Sequence, residues 1–401
     1  MTHVTSPFAG SFAKNADREY TVRGIVGQAP AGGADVGEVL AAVGPVKNTD
    51  TAGWARAWRD LGERVDRYAV EATGPTARWA SLRAANYLAV AADAAGAADD
   101  DAAASDLFSA HRAAWERFAA ALPTPAERVD VRLDDAVMPG FFFRGGPGAR
   151  STVVFVNGSD GSVSGLWGTG VAAALERGHH AYVFDGPGQQ SMLIDQGVPF
   201  RPDWENVLRP VVDALVARRD VDAGRLVVWG ISQAGYWVPR ALSSEHRFAA
   251  AIVDPGVVDV STSWFDHIPA SLVRLLDAGK DARFDNEMAL GMRVSPGTAA
   301  TWAFRARPLG TTGYAATLRR IREFALTDEQ AAAITTPLLI TSPEEEQFWP
   351  GQSARLAEMT PAVSQVISFT AAEGAAGHCE PLARTLVHER VLDTLSAVMA
   401  R

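Results

Sequence analysis

Cysteine is almost missing from this sequence: 401 residues contain one, Cys379, which excludes an intrachain disulfide and any metal site built from several thiolates. Basic residues are outnumbered, 37 Lys and Arg against 47 Asp and Glu, for a net charge of −10. No positive field is available for nucleic acid or an anionic membrane surface. Nowhere do about 18 apolar residues run together, and the opening Met-Thr-His-Val-Thr-Ser-Pro has no charged stretch followed by an apolar one. A cytoplasmic protein is therefore expected. There is no internal repeat, no Gly-Lys-Ser/Thr phosphate loop and no Gly-x-Gly-x-x-Gly turn after a first strand. His179 and His180 lack carboxylates and further histidines at ligand spacing nearby, so no metal is expected.

What is present is ordinary in bulk and ordered in pattern. Apolar residues make up 47% of the chain and charged residues 21%, enough for a sizeable core. In the first part, Trp54, Trp58, Leu61, Val65 and Tyr68 are spaced four, three, four and three apart, one stripe along a helix. A second helix is expected over residues 76–95, with Trp79, Leu82, Tyr87 and Leu88 on or near one face, and a third over 105–122. The acidic, alanine-rich stretch 96–104 between them reads as a loop or a frayed end. Tryptophans at helical spacing are core or docking residues rather than a substrate box.

Pro123-Thr-Pro125 ends the helical pattern, and short apolar runs follow. Strands are expected at residues 129–133, 138–144, 152–156, 181–184, 226–229, 250–253, 338–341 and 366–369, with helical segments between most of them. Such alternation implies an α/β fold, a mostly parallel sheet with helices on both faces. The expected division is a helical domain over residues 1–124 and a sheet domain over 125–401. From 256 to 336 the alternation stops, and residues richer in Trp, Phe, Arg and Met take over, with helices near 270–278 and 313–324. An insertion there follows the C-terminal end of a strand, the edge where open parallel sheets bind ligands, and is placed to act as a lid.

The chemistry centres on residues 225–239, where the apolar run Leu226-Val-Val-Trp229 leads into Gly230-Ile-Ser232-Gln-Ala234-Gly235 and then a helix. This is the pattern of a nucleophile elbow, a serine on a sharp strand-to-helix turn flanked by small residues. Ala234 stands where glycine is usual; a methyl group fits a site that excludes bulk. A serine hydroxyl needs a base within hydrogen-bond reach and an acid to orient that base, and in this architecture they follow in the order Ser, Asp or Glu, His.

His378 lies in the small-residue stretch Glu373-Gly-Ala-Ala-Gly-His-Cys-Glu380 directly after a strand and is the expected base. His388, inside the C-terminal helix expected over 381–399, reads as a surface residue; His246 and His267 have little support. The acid belongs after the strand 338–341, where Glu344, Glu345 and Glu346 adjoin. Spacing to Pro350, which opens the next helix, selects Glu346, with Glu344 as the alternative. The oxyanion hole needs two backbone amides. One is that of Gln233; the other comes from Asn157-Gly-Ser-Asp-Gly161, where Ser159 is chosen and Gly158 and Asp160 could substitute. Asp185-Gly-Pro-Gly-Gln189 reads as a tight structural turn.

With these stretches together, and with Arg201-Pro-Asp-Trp204 and Gly377-His-Cys-Glu380, the chain resembles the α/β-hydrolase superfamily. It is similar to the branch with an N-terminal helical domain, which includes 2,6-dihydroxypseudooxynicotine hydrolase, fungal polyketide chain-shortening hydrolases and fermentation-respiration switch-like proteins. The resemblance covers residues 125–401 well and the first 120 in helical character only. It implies hydrolysis through a Ser232, Glu, His378 triad, in several members at a carbon–carbon bond beside a ketone. Ala234 and the glutamate acid depart from the usual residues. The expected substrate is an apolar or aromatic small molecule, with no cofactor, nucleic acid or membrane partner and a homodimer left open. Ester or thioester hydrolysis in secondary metabolism and a non-hydrolytic binding or isomerase role are the alternatives.

Overall fold

The computed structural model describes residues 12–98 and 100–400. The opening residues, on which the absence of a secretion signal was read, lie outside them. Five helices come first: α1 (Ala16–Val26), α2 (Val36–Val43), α3 (Thr51–Glu71), α4 (Gly74–Gly96) and α5 (Asp101–Ala120). The side chains of Asn15, Asp35, Asp50 and Asp100 cap α1, α2, α3 and α5 by accepting first-turn amides. The cap at Asp100 brings the start of α5 forward of the expected 105, so the acidic connection is shorter than its composition implies. Trp54, Trp58, Leu61 and Val65 are buried as the stripe requires, but Tyr68 is 53% exposed. It lies in the last turn of α3, where its neighbour Ala69 is buried instead.

Ten strands follow: β1 (Glu127–Arg128), β2 (Val131–Leu133), β3 (Ala136–Met138), β4 (Gly140–Phe143), β5 (Arg150–Val156), β6 (His180–Phe184), β7 (Val221–Ile231), β8 (Phe248–Asp254), β9 (Leu338–Pro343) and β10 (Ser364–Phe369). Eight form one sheet in the order β1-β4-β6-β5-β7-β8-β9-β10. β4 pairs antiparallel with β1 and β6; from β6 to β10 every pairing is parallel. The alternating stretch at 129–133 does not join this sheet: β2 pairs with β3 in a separate two-stranded ribbon.

Side-chain alternation assigns each strand's residues to two cores. Phe141, Phe143, Val153, Phe155, Val227, Trp229 and Ile252 face the N-terminal helices and the C-terminal helix Arg384–Met399. Phe142, Val154, Val156, Val228, Ala251 and Val253 face the opposite way, toward the helices Glu205–Val216 and Ala234–Leu242. One apolar core thus joins the N-terminal helices to the sheet. Trp115 of α5 sits edge-on to Phe141 at 5.7 Å between ring centres, and Phe118 meets Trp167 at 4.8 Å. Between β8 and β9 the chain is helical, with Thr262–Phe265, Ala270–Asp277, Asp281–Val294, Pro296–Ala306, Tyr314–Ile321 and Asp328–Ala332.

Trp115 is fully buried at this junction. Trp115→Ala is expected to destabilise the protein by about 3–5 kcal/mol, the range for an aromatic cavity, read as a lowered midpoint in urea unfolding followed by circular dichroism.

Candidate active site

The parallel strands end on one edge, and four of them, β5, β7, β9 and β10, lead into the candidate residues there. Ser232 follows β7 with φ +56°, a left-handed backbone that a non-glycine residue adopts only when its surroundings hold it. Two glycines make the turn. A Cβ on Gly230 would lie 2.6 Å from the Ala234 carbonyl oxygen, and one on Gly235 would lie 2.0 Å from that of Pro255. The close crossing of β7 and the following helix falls on Gly230, and Gly235 faces the backbone after β8, so the methyl of Ala234 fits, fully buried.

His378 Nε2 lies 2.7 Å from Ser232 Oγ, and His378 Nδ1 lies 2.8 Å and 3.0 Å from the two carboxylate oxygens of Glu346. Glu346 Oε1 also accepts the amides of Phe348 (2.8 Å) and Trp349 (3.1 Å). Burial raises the Glu346 pKa, but His378 and the two amides outweigh it and hold the carboxyl below its usual range. Glu344 faces elsewhere: its carboxylate accepts the Ala371 amide at 2.6 Å and its carbonyl accepts that of Gly377 at 2.7 Å, bracing the histidine loop. Glu345 is exposed at φ +59°. His246 and His267 are exposed.

His388 corrects an expectation. It is not a surface residue: its Nε2 donates to the Thr169 carbonyl at 2.7 Å and its ring stands edge-on to Trp229. Burial, with Arg384 adding, pushes its pKa down to about 4. The C-terminal helix turns this residue toward the sheet rather than toward solvent.

The loop after β5 lies against the elbow. A Cβ on Gly158 would come within 2.7 Å of Ser232 Cβ, so only glycine allows the approach. The Gly158 amide already donates to Asn157 Oδ1 at 2.9 Å, whereas the amides of Ser159 and Gln233 donate to no protein acceptor among the described residues. Gln189 Nε2 donates to the Asn157 and Gly158 carbonyls at 2.7 and 3.0 Å, and Gln189 Oε1 accepts the Gly186 amide. The Asp185–Gln189 turn therefore fixes the loop that carries Ser159.

Residues without a motif complete the surroundings. Tyr20 of α1 donates its hydroxyl to the His378 carbonyl at 3.4 Å, and its ring packs against Phe348 (5.9 Å) and His378 (6.2 Å). Phe348 and Trp349 stand edge-on to the imidazole at 4.8 and 5.5 Å. Arg305, from the segment between β8 and β9, lies over the Phe348 ring at 5.3 Å. On α4, the Asp93 side chain is exposed; desolvation by nearby protein, with Asp160 adding and Arg307 opposing, shifts its pKa upward. Aromatic side chains from α1 and the acid loop thus surround the His378 imidazole. No sequence spacing ties Tyr20 or Asp93 to the elbow.

Replacing the acid-loop glutamates one at a time tests the contacts. Glu346→Gln is expected to slow modification of Ser232 by a serine-directed fluorophosphonate about 10³–10⁴-fold, because the histidine loses its orienting carboxylate. Glu344→Gln and Glu345→Gln are expected to stay near the wild-type rate; a large loss at Glu344 alone would reverse the assignment.

The model for the alpha/beta hydrolase family matches residues 153–389. Among curated proteins, a hydrolase named LUC6 from a Fusarium species is 28% identical over 349 residues, covering 82% of this chain and 83% of the relative. A protein named hydrolyase ccsE from Aspergillus clavatus is 31% identical over 303 residues, covering 68% of each. The 20-hydroxy-prefusarin hydrolase FUS2 of Gibberella moniliformis is 31% identical over 262 residues, covering 60% of this chain and 62% of that one. Among solved structures, 2,6-dihydroxy-pseudo-oxynicotine hydrolase superposes with a TM-score of 0.70 at 20% identity, covering 93% of this chain and 95% of that one, a likeness of fold that extends through the N-terminal helices. With the elbow, the mostly parallel sheet and these relatives together, the chain belongs to the alpha/beta hydrolase family, in its branch with helices ahead of the sheet, and is a hydrolase.

Proposed function

We propose that the protein is a serine hydrolase that uses Ser232, His378 and Glu346 on an apolar or aromatic small molecule, cleaving a carbon–carbon bond beside a ketone or an ester. The observation that carries this reading is the unbroken hydrogen-bonded path from Glu346 through His378 to Ser232. His378 Nε2 takes the hydroxyl proton as Ser232 Oγ attacks the substrate carbonyl carbon. Glu346 keeps Nδ1–H pointed at itself, which leaves Nε2 free to accept, and it stabilises the imidazolium that forms. The amides of Gln233 and Ser159 receive the developing oxyanion.

Collapse of the tetrahedral intermediate breaks the bond to the leaving group, an enolate carbon or an alkoxide oxygen, which takes the proton from His378 Nε2. A water molecule, deprotonated by the same nitrogen, then releases the acyl group from Ser232 as a carboxylic acid. Tyr20, Phe348 and Trp349 around the imidazole favour an apolar or aromatic acyl portion. The N-terminal helices and the insertion at 256–336 act as the cap that excludes water. No helix among the described residues is long and apolar enough to cross a membrane.

Incubation with aryl β-diketones and aryl esters, with products resolved by mass spectrometry, tests this reading. The expected result is conversion of a diketone to one carboxylic acid and one methyl ketone, abolished by Ser232→Ala. Conversion of neither substrate class, or equal conversion by Ser232→Ala, would overturn it.

A further inference from the structure

Directly beneath Ser232 and His378 lies a second polar cluster that the hydrolytic steps do not use. Asp254 closes β8, Glu380 follows the histidine by two residues, and Arg384 opens the C-terminal helix. Asp254 and Glu380 are 0% exposed and Arg384 is 5% exposed. The Asp254 carbonyl accepts the Ser232 amide at 2.6 Å and the Cys379 thiol at 3.2 Å. Its carboxylate accepts Thr341 Oγ1 at 2.8 Å and Arg384 Nη1 at 2.7 Å. The same Nη1 donates to the Cys379 carbonyl at 2.8 Å, and Nη2 donates to the Thr169 carbonyl at 2.8 Å.

One guanidinium therefore joins three separate parts of the chain: the strand end that holds the elbow amide, the residue after the histidine, and the segment that follows the oxyanion loop. Cys379 and Glu380 have φ of +59° and +40°, and non-glycine residues in that region persist only where neighbours fix them. Two contacts hold Cys379, the Arg384 hydrogen bond to its carbonyl and its own thiol hydrogen bond to the Asp254 carbonyl.

The formal charges in the cluster do not balance. Two carboxyl groups share one guanidinium in a space closed to water, and an uncompensated buried charge is costly. Asp254 receives two donors. Glu380 lies 3.6 Å from Arg384 Nη1; neither of its oxygens accepts a donor, and when protonated it hydrogen-bonds the Asp254 carboxyl. Burial first, and Asp254 beside it, push the Glu380 pKa well above the carboxylate range. Burial works against ionisation of Asp254, but Arg384 and the other donors outweigh it. Cys379, Glu346, His388, which donates to the same Thr169 carbonyl as Arg384, and Tyr20 are the other titratable groups whose charges reach the cluster.

We propose that Arg384 is a positioning residue of the hydrolytic site, clamping the nucleophile elbow to the histidine loop through Asp254 and the Cys379 carbonyl, with Glu380 beside it as a neutral carboxylic acid. This deepens the reading of Ser232 and His378 as nucleophile and base, and it rests on that reading. The two reacting groups come from strands far apart in sequence, and their 2.7 Å separation depends on how these two turns are held relative to each other. A misplacement of about 1 Å costs on the order of 10²-fold in rate.

The test uses the full chain and four proteins: wild type, Arg384→Met, Arg384→Lys and Glu380→Gln. The pH dependence of fluorophosphonate labelling at Ser232 is measured at a temperature where thermal melts show each to be folded. Labelling of wild type is the control, and its failure would sink the serine hydrolase reading rather than the clamp. Arg384→Met is expected to label about 10²-fold more slowly, and Arg384→Lys, which keeps the charge but cannot reach all three acceptors, roughly tenfold more slowly. Glu380→Gln is expected to keep the wild-type rate and pH profile, because an amide replaces a group that is already neutral.

A merely structural arginine would lower the melting temperature and leave the labelling rate of folded protein unchanged, and that result in either Arg384 variant overturns the clamp. If Arg384→Met does not fold, the lysine variant decides. Slowed labelling or a shifted pH profile in Glu380→Gln overturns the neutral acid.

Discussion

The backbone of Ser232, held at φ +56° between a strand and a helix, is the constraint on which the rest of the structure depends. Such a conformation costs on the order of 1–3 kcal/mol, and three features offset it. Gly230 leaves room for the helix to cross the strand, Gly235 leaves room for the backbone after β8, and the Asp254 carbonyl takes the serine amide at 2.6 Å. The consequence is chemical: the side chain stands at the sheet edge, where loops after β5, β9 and β10 converge on it. Gly158 comes from the first, Glu346 from the second and His378 from the third.

Those loops are themselves braced from below and from the side. Gln189 pins the β5 loop by its carbonyls, Glu344 ties the acid loop to the histidine loop, and Arg384 ties the histidine loop to β8. Polar groups that would be costly if left unpaired instead hold the distances between Ser232, His378 and Glu346. The N-terminal helices belong to the same design, since α1 carries Tyr20 against His378 while α4 and α5 share the apolar core of one sheet face. A Cβ on Gly27 of that region would collide with the Pro381 carbonyl at 1.7 Å, so the first helix and the histidine loop are fitted closely together.

Much of this was readable from local pattern. Parallel strands declare themselves as apolar runs, and the elbow as a glycine-framed serine between a strand and a helix. Chain order then pointed to His378, and the spacing to Pro350 pointed to Glu346. What was not readable depends on pairing at long range. Asp254, Glu380 and Arg384 look unremarkable until β8, β10 and the last helix are brought to one edge. Tyr20 sits in a helix whose facing depends on packing against a loop more than 350 positions away, the separation of its hydrogen bond to His378 being 358 residues. His388 was misread because a helix shows its buried face only when its neighbour is known. At the end of α3 the buried position is Ala69 and not Tyr68, and the 129–133 alternation served a ribbon because Asp134 allows a tight reversal at φ +52°.

The central claim is that Ser232 becomes covalently acylated during turnover. Acid quench of the wild-type protein within milliseconds of mixing with an aryl ester, followed by proteolysis and mass spectrometry of the peptide containing residue 232, tests it most directly. The account predicts an acyl mass increment on Ser232 that appears before free acid accumulates and decays with it. Turnover with that peptide unmodified at every quench time, while ester is consumed at the same rate by Ser232→Ala, would contradict it.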